Sequence, residues 1–381
     1  MPLSERDSGW CVYAPRATTY NLTRCTGLLD HPDPGALLIR NHGDPPARRL
    51  VVLDAKVNRL YGDRITPWLD RLGTPFEMVE ITPTEPTKNR ATVDEIHATA
   101  SRMNLARRDE IVAIGGGIVL DLAGFAAAEL RKGTPYAAVP TTLVGLIDAS
   151  VGAKRGINQC GRKNYLGAYH PARTILLDPG WLATLDRREI RAGLAEIKKV
   201  AEMVSPQLLA LLHQHGADLI DTAFGHEAAD EVLRLSIGGI LEHLADDLYE
   251  EKLRRWPDYG HTISPAVEMA TDGEVNHGEA VSIDSAFSAV LASQRGYVHD
   301  EYPERMAELS QRLGLPTYHP LLHEPKFVTN ALASTVLTRG GAQHWPVPAN
   351  TERGHRFIED AKPAELRSAA DTLRDLTGAF A

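Results

Sequence analysis

The first part of the chain alternates short apolar runs with stretches at helical spacing. "RRLVVLDAKV" (Arg48 to Val57) carries an apolar run that ends at Asp54, and "PFEMVEITP" reads as a second strand. "ATVDEIHATASRMNLA" places its apolar residues at helical spacing. "DEIVAIGGG" is a buried strand closing on glycines, and "PYAAVPTTL" is a further strand with a turn after it. Strand, helix, strand at this rhythm predicts a parallel sheet with helices on both faces.

From about Leu182 the pattern changes. "REIRAGLAEIKKVAEMV", "PQLLALLHQHG", "AADEVLRLSIGGILEHLADDLYEE" and "GEAVSIDSAFSAVLASQRG" all carry apolar residues at helical spacing, and strand signals nearly vanish. The expected architecture is an N-terminal α/β, Rossmann-like parallel-sheet domain over residues 1–180 and an all-α domain over 181–381. There is no internal repeat.

A length of 381 residues is enough for two such domains, each with its own core. The formal net charge of -9 argues against a general nucleic-acid role, because phosphate backbones demand a cationic face. Cys11, Cys25 and Cys160 suit neither a disulfide framework nor a zinc knuckle and read as reduced thiols. The polar start, MPLSERDSGW, is unlike a secretory signal, and no apolar run approaches the roughly 20 residues of a membrane helix. A cytoplasmic protein acting on a small molecule, without a nucleic-acid or membrane partner, is expected.

Candidate chemistry begins at the glycine run. Gly115, Gly116 and Gly117 follow a strand and open a helix, where backbone N–H groups can meet a phosphate. The same run also serves as a plain tight turn. Asp121, four residues beyond Gly117, reads either as a hydroxyl-binding acid or as a first-turn aspartate favoured by the helix dipole. Asp54 has the same two readings, ribose holder or structural residue.

The most informative stretch is "PTTLVGLIDASVGAKRGINQCGRKNYLGAYHP". Thr141 and Thr142 follow a strand, Asp148 comes after an apolar turn, and Lys154, Asn158, Lys163 and Asn164 sit among glycines in what reads as a loop. Cations and amides gathered there suit a phosphorylated or polyhydroxylated substrate.

GGGxxxD, the PTTL turn, D-x5-K and the following K-N, continued by "GLAEIKK", "GHTISP" and "HGEAV", resemble the sugar phosphate cyclases, of which the dehydroquinate synthases are the best-known branch. Taken by spacing alone, His261 and His277, sixteen residues apart, read as core or helix-cap histidines. The resemblance instead implies a divalent metal, zinc first and cobalt as the alternative, on Glu196, His261 and His277. Two imidazoles and a carboxylate leave positions open for substrate hydroxyls.

It further implies NAD in the α/β domain, with Asp54, Glu85 and Lys88 near the adenosine end and Gly115 to Gly117 at the pyrophosphate. Asp121, Thr141, Thr142 and Asp148 would line the path to the nicotinamide. Lys154, Lys163, Asn164, Lys199 and Arg254 would hold substrate hydroxyls and phosphate, with Lys154 and Lys163 also near the cofactor and Glu250 supporting the metal side. The implied activity is a redox-neutral lyase reaction. An alcohol of a ketose phosphate is oxidised, phosphate is eliminated, the hydride returns, and ring opening with an intramolecular aldol step closes a carbocycle. The implied assembly is a homodimer, with a neighbouring subunit's contacts near Arg131 and Lys132.

Departures from the dehydroquinate synthase pattern point to a branch. Asp258 replaces an asparagine, and Pro265 stands where a second histidine is usual; proline neither ligates metal nor transfers protons. Asp258, Pro265, "KNYLGAYHP" and "LTRGGAQHWPVP", with His344 as a pocket candidate, resemble the 2-epi-5-epi-valiolone synthases. These act on sedoheptulose 7-phosphate to give a C7 cyclitol. That substrate lacks a carboxylate, and an acid at Asp258 would repel one. The 2-epi-valiolone and desmethyl-4-deoxygadusol synthases share the substrate and stay open as alternatives, with 3-dehydroquinate synthase the more remote one. Lys132 replaces a phosphate-contacting arginine, and Lys198 stands where an apolar residue is more usual. A metal-dependent alcohol dehydrogenase and a silent NAD- or sugar-phosphate-binding homologue are the rival readings.

Overall fold

The computed structural model describes residues 3–6, 9–12, 17–39, 47–351 and 354–378. The chain opens with a hairpin, β1 (Leu3–Arg6) and β2 (Gly9–Val12), then β3 (Asn21–Arg24) and α1 (Pro34–Ile39). The α/β part continues through β4 (Arg49–Asp54), α2 (Ala55–Asp70), β5 (Phe76–Ile81), α3 (Arg90–Arg102), β6 (Glu110–Gly115), α4 (Gly117–Glu129) and β7 (Tyr136–Pro140). A second hairpin, β8 (Lys154–Gln159) and β9 (Arg162–Tyr169), precedes β10 (Thr174–Leu177).

Six of these strands form one parallel sheet in the order β3-β10-β7-β6-β4-β5. The uninterrupted apolar runs of β4, β6 and β7 are buried along their whole length, as expected for central strands covered on both faces. Alternate residues serve opposite layers. Leu50, Val52, Ile111 and Ala113 join the core beneath α3 and α4, while Val51, Leu53, Val112 and Ile114 join the core beneath α1 and α2. The chain runs from β4 outward to β5 and returns to the other side of β4 as β6. That reversal leaves a crevice at the carboxyl ends of β4 and β6, between Asp54 and Gly115, where ligands bind in open α/β sheets.

Helices follow: α5 (Arg187–Val204), α6 (Pro206–Asp221), α7 (Ala229–Asp247), α8 (Ser264–Ala270), α9 (His277–Gln294), α10 (Tyr302–Arg312), α11 (Phe327–Thr338) and, last, α12 (Pro363–Gly378). α9 is buried along nearly all of its length, with α5, α8, α10 and α12 packed around it. Two details differ from the expectation. The helical half also holds a small antiparallel sheet, β11 (Trp345–Pro348) with β12 (His355–Ile358); Pro346 and Pro348 hide it from strand periodicity. Lys154 to Asn164 lie on the β8–β9 hairpin and not in a loop. Pairing stands where glycines and charges had obscured alternation.

Cys25 and Cys160 are free thiols, and the Cys11 side chain lies outside the described residues. Among the described residues no helix is long and apolar enough to cross a membrane.

Candidate active site

Glu196 projects from the middle of α5, His261 from the turn before α8, and His277 from the first position of α9. Their ligating atoms all lie within 4.8 Å of one another. His277 Nε2 is 2.9 Å from Glu196 Oε1, and His261 Nε2 is 3.6 Å from the same oxygen. This closeness depends on Gly278. A Cβ there would meet Ala192 Cα of α5 at 2.2 Å, so only glycine lets the start of α9 press onto α5.

Each imidazole is held from behind. His261 Nδ1 donates to the Tyr259 carbonyl at 3.0 Å, and His277 Nδ1 lies 3.1 Å from Glu268 Oε1. Both Nε2 atoms therefore turn toward Glu196, the arrangement of an oriented imidazole-carboxylate metal site with room for further ligands. The donor set fits zinc or cobalt. Burial pushes the Glu196 carboxyl up, but Lys199, the His277 hydrogen bond and His261 outweigh it and hold it well below the usual range. Burial and then Lys199 bring His261 down to about 4. Burial also pushes His277 down, yet Glu268 and Glu196 hold it up to about 10, so a divalent cation competes with a proton there.

The cations of the hairpin are held by carboxylates, and Lys163 reaches this centre through Glu268. Lys163 pairs with Glu268 and lies 3.9 Å from Glu85. Lys154 Nζ is 2.7 Å from Glu250, which also pairs with Arg255. Lys199 Nζ sits 2.5 Å from Glu196 Oε2 and 3.7 Å from Asp148, in the π-helical turn Gly145–Ala149. Thr142 Oγ1 caps that turn by accepting from the Gly145 amide at 3.1 Å, and Thr141 is buried beside it.

At the switch point, Gly116 precedes α4 with no side-chain cap, and a Cβ on it would meet Thr142 at 2.9 Å. The amides at the start of this helix are thus left to a phosphate, as a bound dinucleotide requires. Asp54 caps α2, its Oδ1 accepting from the amides of Lys56 at 2.7 Å and Val57 at 3.3 Å, so its structural role is visible. Lys88 bridges Asp121 Oδ2 at 2.5 Å and Asn164 Oδ1 at 2.7 Å. Glu85 Oε1 accepts from Asn158 at 2.8 Å. Glu85 and Lys88 therefore join the sheet to the hairpin. Arg131 and Lys132 are exposed on a short turn with left-handed backbone, φ 54° and 65°.

The structure gives named partners to Asp258, Arg254, His344 and Lys198. Asp258 is not a bare charge facing substrate: its Oδ2 is 2.8 Å from Arg255 and 3.4 Å from Arg339. Burial pushes its carboxyl up, but Arg255, Arg339 and Lys154 hold it low. Arg254 is largely exposed and pairs with Glu359, which also receives His344 Nδ1 at 3.2 Å. Among the described residues, no hydrogen bond joins either side chain to the metal cluster. Lys198 is buried, 2.5 Å from Glu202, whose other oxygen accepts from Tyr259 at 2.7 Å and Tyr302 at 3.2 Å. That carboxylate explains a lysine at an apolar position.

Glu268, Arg255, Arg339 and Asp284 were not foreseen. Arg255 adjoins the expected Arg254 in "LRRW", Arg339 lies in "LTRGGAQHWPVP" five residues before the expected His344, and Glu268 and Asp284 stand outside the short motifs.

A metal-ready histidine-carboxylate centre beside a dinucleotide-type switch point defines an NAD- and metal-dependent enzyme class. Residues 78–192 match the 3-dehydroquinate synthase N-terminal family and residues 193–335 the C-terminal family, and the chain belongs to the 3-dehydroquinate synthase family. A 2-epi-5-epi-valiolone synthase from Streptomyces albus is 40% identical over 380 residues, 98% of this chain and 92% of that protein. ValA, the 2-epi-5-epi-valiolone synthase from Streptomyces hygroscopicus subsp. jinggangensis 5008 solved with NAD+ and Zn2+ bound, superposes with TM-score 0.91 at 40% identity, covering 96% of this chain and 99% of its own. A 2-deoxy-scyllo-inosose synthase complexed with carbaglucose-6-phosphate, NAD+ and Co2+ shares the fold at TM-score 0.79 and 21% identity, with 92% and 96% covered.

Proposed function

We propose that this protein is a sugar phosphate cyclase that converts sedoheptulose 7-phosphate to 2-epi-5-epi-valiolone with release of phosphate, regenerating its NAD at each turnover. The observation that carries the reading is the convergence of Glu196, His261 and His277 with Lys163 of the β8–β9 hairpin, which meets His277 through Glu268. Full-length likeness to 2-epi-5-epi-valiolone synthases supports it. A simple alcohol dehydrogenase gives the hairpin lysines nothing to bind.

In this reading NAD+ supplies a reversible hydride acceptor and the cation supplies Lewis acidity at the hydroxyl to be oxidised. Glu196, His261 and His277 hold the cation. Gly115 to Gly117 and the start of α4 take the pyrophosphate, while Asp121, Thr141, Thr142 and Asp148 line the crevice toward the reacting carbon. Lys154, Lys163, Asn164 and Lys199 orient the hydroxyls and phosphate and stabilise negative charge as it develops. Glu250 holds Lys154 and Arg255 in place. Arg254 and His344 form the rim, joined through Glu359. A homodimer with Arg131 and Lys132 at the subunit contact completes the reading.

Purified protein with NAD+, a divalent metal and sedoheptulose 7-phosphate should release inorganic phosphate without accumulating NADH. NMR coupling constants should identify 2-epi-5-epi-valiolone. A different epimer or a desmethyl-4-deoxygadusol product would move the protein to a neighbouring branch. Phosphate release from the shikimate-pathway heptulosonate phosphate alone would reject the substrate assignment.

A further inference from the structure

α8 begins without a local cap. Its first amides are the orphan donors of any helix start, but the capping position is Ile263, which has no side-chain acceptor, and the second helical residue, Pro265, has no amide to offer. The acceptor comes from another helix. Asp284 Oδ2, on α9, receives the backbone N–H groups of Thr262 at 2.7 Å, Ile263 at 2.5 Å and Ser264 at 3.0 Å. Its Oδ1 receives Ser288 Oγ at 3.2 Å, and Ser288 in turn receives Trp345 Nε1 at 2.8 Å. Asp284 has no solvent exposure. A wholly buried carboxylate is costly unless its oxygens are filled, and here hydrogen bonds fill them.

The position of this carboxylate ties two metal-site residues to one rod. α9 carries His277 at its first residue and Asp284 two turns on, and the three amides that Asp284 gathers are those directly after His261. Gly260 lies against the same helix, where an added Cβ would meet Ser285 and Val281 at 2.9 Å. From the other side Arg339, itself buried, donates to the His261 carbonyl at 3.2 Å and to Thr262 Oγ1 at 3.2 Å. The turn is thus held by an anion at its amides and by a cation at its carbonyl.

We propose that Asp284 is a positioning residue of the metal centre, fixing His261 relative to His277 by anchoring the amides of residues 262–264 to α9. The proposal rests on the reading of Glu196, His261 and His277 as the metal ligands. A local cap would have stabilised α8 equally well. What the remote carboxylate adds is a fixed distance between the two histidines, and outer partners of this kind set metal affinity.

The test strips the purified full-length protein with a chelator and reloads it with Co2+, whose visible absorption reports ligand geometry. Asp284→Asn keeps the shape and removes the charge. Its Co2+ and Zn2+ dissociation constants should rise by roughly 10- to 100-fold, and its cobalt bands should shift, with NAD affinity unchanged. A merely structural aspartate would lower Tm and leave both metal readouts as in the wild type at temperatures well below melting, and that result overturns the proposal. If Asp284→Asn does not fold, Ser288→Ala, which loosens the carboxylate from one side, should shift the cobalt bands in the same direction; unshifted bands overturn it. His277→Ala is the reference for the ligand reading. Wild-type protein that binds no cation, or His277→Ala that binds it fully, refutes the ligand set and this proposal with it.

Discussion

Lys199 and Glu196 stand one helical turn apart on α5, with the ammonium 2.5 Å from the carboxylate and both side chains almost entirely buried. Burial alone would drive the lysine toward neutrality. Glu196 and Asp148 outweigh it and hold its pKa above the ordinary lysine value, so the pair is ionic. Removing one partner of such a pair leaves a buried charge uncompensated. Lys199→Met should therefore lose about 3–5 kcal/mol of stability in urea unfolding with a chelator present. A divalent cation should restore more stability to the variant than to the wild type, because it replaces the missing positive charge at Glu196. Equal metal effects on the two proteins would reject this account.

Substituting Asp258 separates two explanations of substrate choice. Repulsion of a substrate carboxylate requires an exposed, unbalanced charge, but Arg255 and Arg339 already neutralise this one. Asp258→Asn should keep its preference for sedoheptulose 7-phosphate over the heptulosonate phosphate. Its kcat/KM should fall roughly 10- to 100-fold, the scale of a lost charge-assisted hydrogen bond. Appearance of heptulosonate turnover in the variant would reinstate repulsion.

The strands and the glycine run were legible because local chemistry marks them, whereas Glu196 and the two histidines stood out only through the family resemblance, since spacing alone reads His261 and His277 as core or helix-cap residues. Apolar runs end at Asp54 and Gly115, and "GLAEI", "GHTIS" and "HGEAV" are compact motifs. What surrounds the histidines was not legible. Asp284 meets amides about twenty positions away, and Arg339 meets His261 across 78 positions, so neither contact leaves a periodic trace. Pro265 was noticed for the histidine it replaces. Its local reason is visible only in the fold, where it occupies the first turn of α8 and needs no hydrogen-bond partner there. The β8–β9 hairpin was hidden by Gly156 and Gly167, which interrupt the alternation on which strand recognition depends.

Cysteine reactivity should differ sharply with burial. Burial, followed by the neighbouring Asp178, pushes the Cys25 thiol up to about 12, and its Sγ donates to the Leu177 carbonyl at 3.7 Å. Cys160 is exposed at the tip between β8 and β9. Iodoacetamide at pH 8 should label Cys160 well before Cys25, read by peptide mass spectrometry. The sign for stability follows from the raised pKa. Below the thiol's ordinary value of 9.0 both states are protonated, whereas above it the unfolded chain loses its proton first. Cys25 therefore disfavours folding increasingly from about pH 9 to 12. Rapid labelling of Cys25 in the folded protein at pH 8 would contradict its burial.

Lys88 joins the two halves of the site, and its removal should show which ligand depends on it. Its ammonium, on a side chain only 6% exposed, bridges Asp121 on α4 and Asn164 on the hairpin, while its carbonyl accepts the Asn158 amide at 2.8 Å. Lys88→Met leaves Asp121 with Arg155 at 3.9 Å as its remaining ion-pair partner and removes the tie to Asn164, while the Lys88 carbonyl and Glu85 still hold Asn158 of the hairpin. If Asp121 and the adjoining crevice hold NAD, the NAD dissociation constant measured by calorimetry should rise about tenfold or more, the scale of a lost hydrogen bond between charged groups. Metal affinity should stay as in the wild type, because the Glu196 cluster is supported from α5 and α9. A variant with unchanged NAD affinity and a raised KM for the sugar phosphate would instead assign Lys88 to the substrate through Asn164.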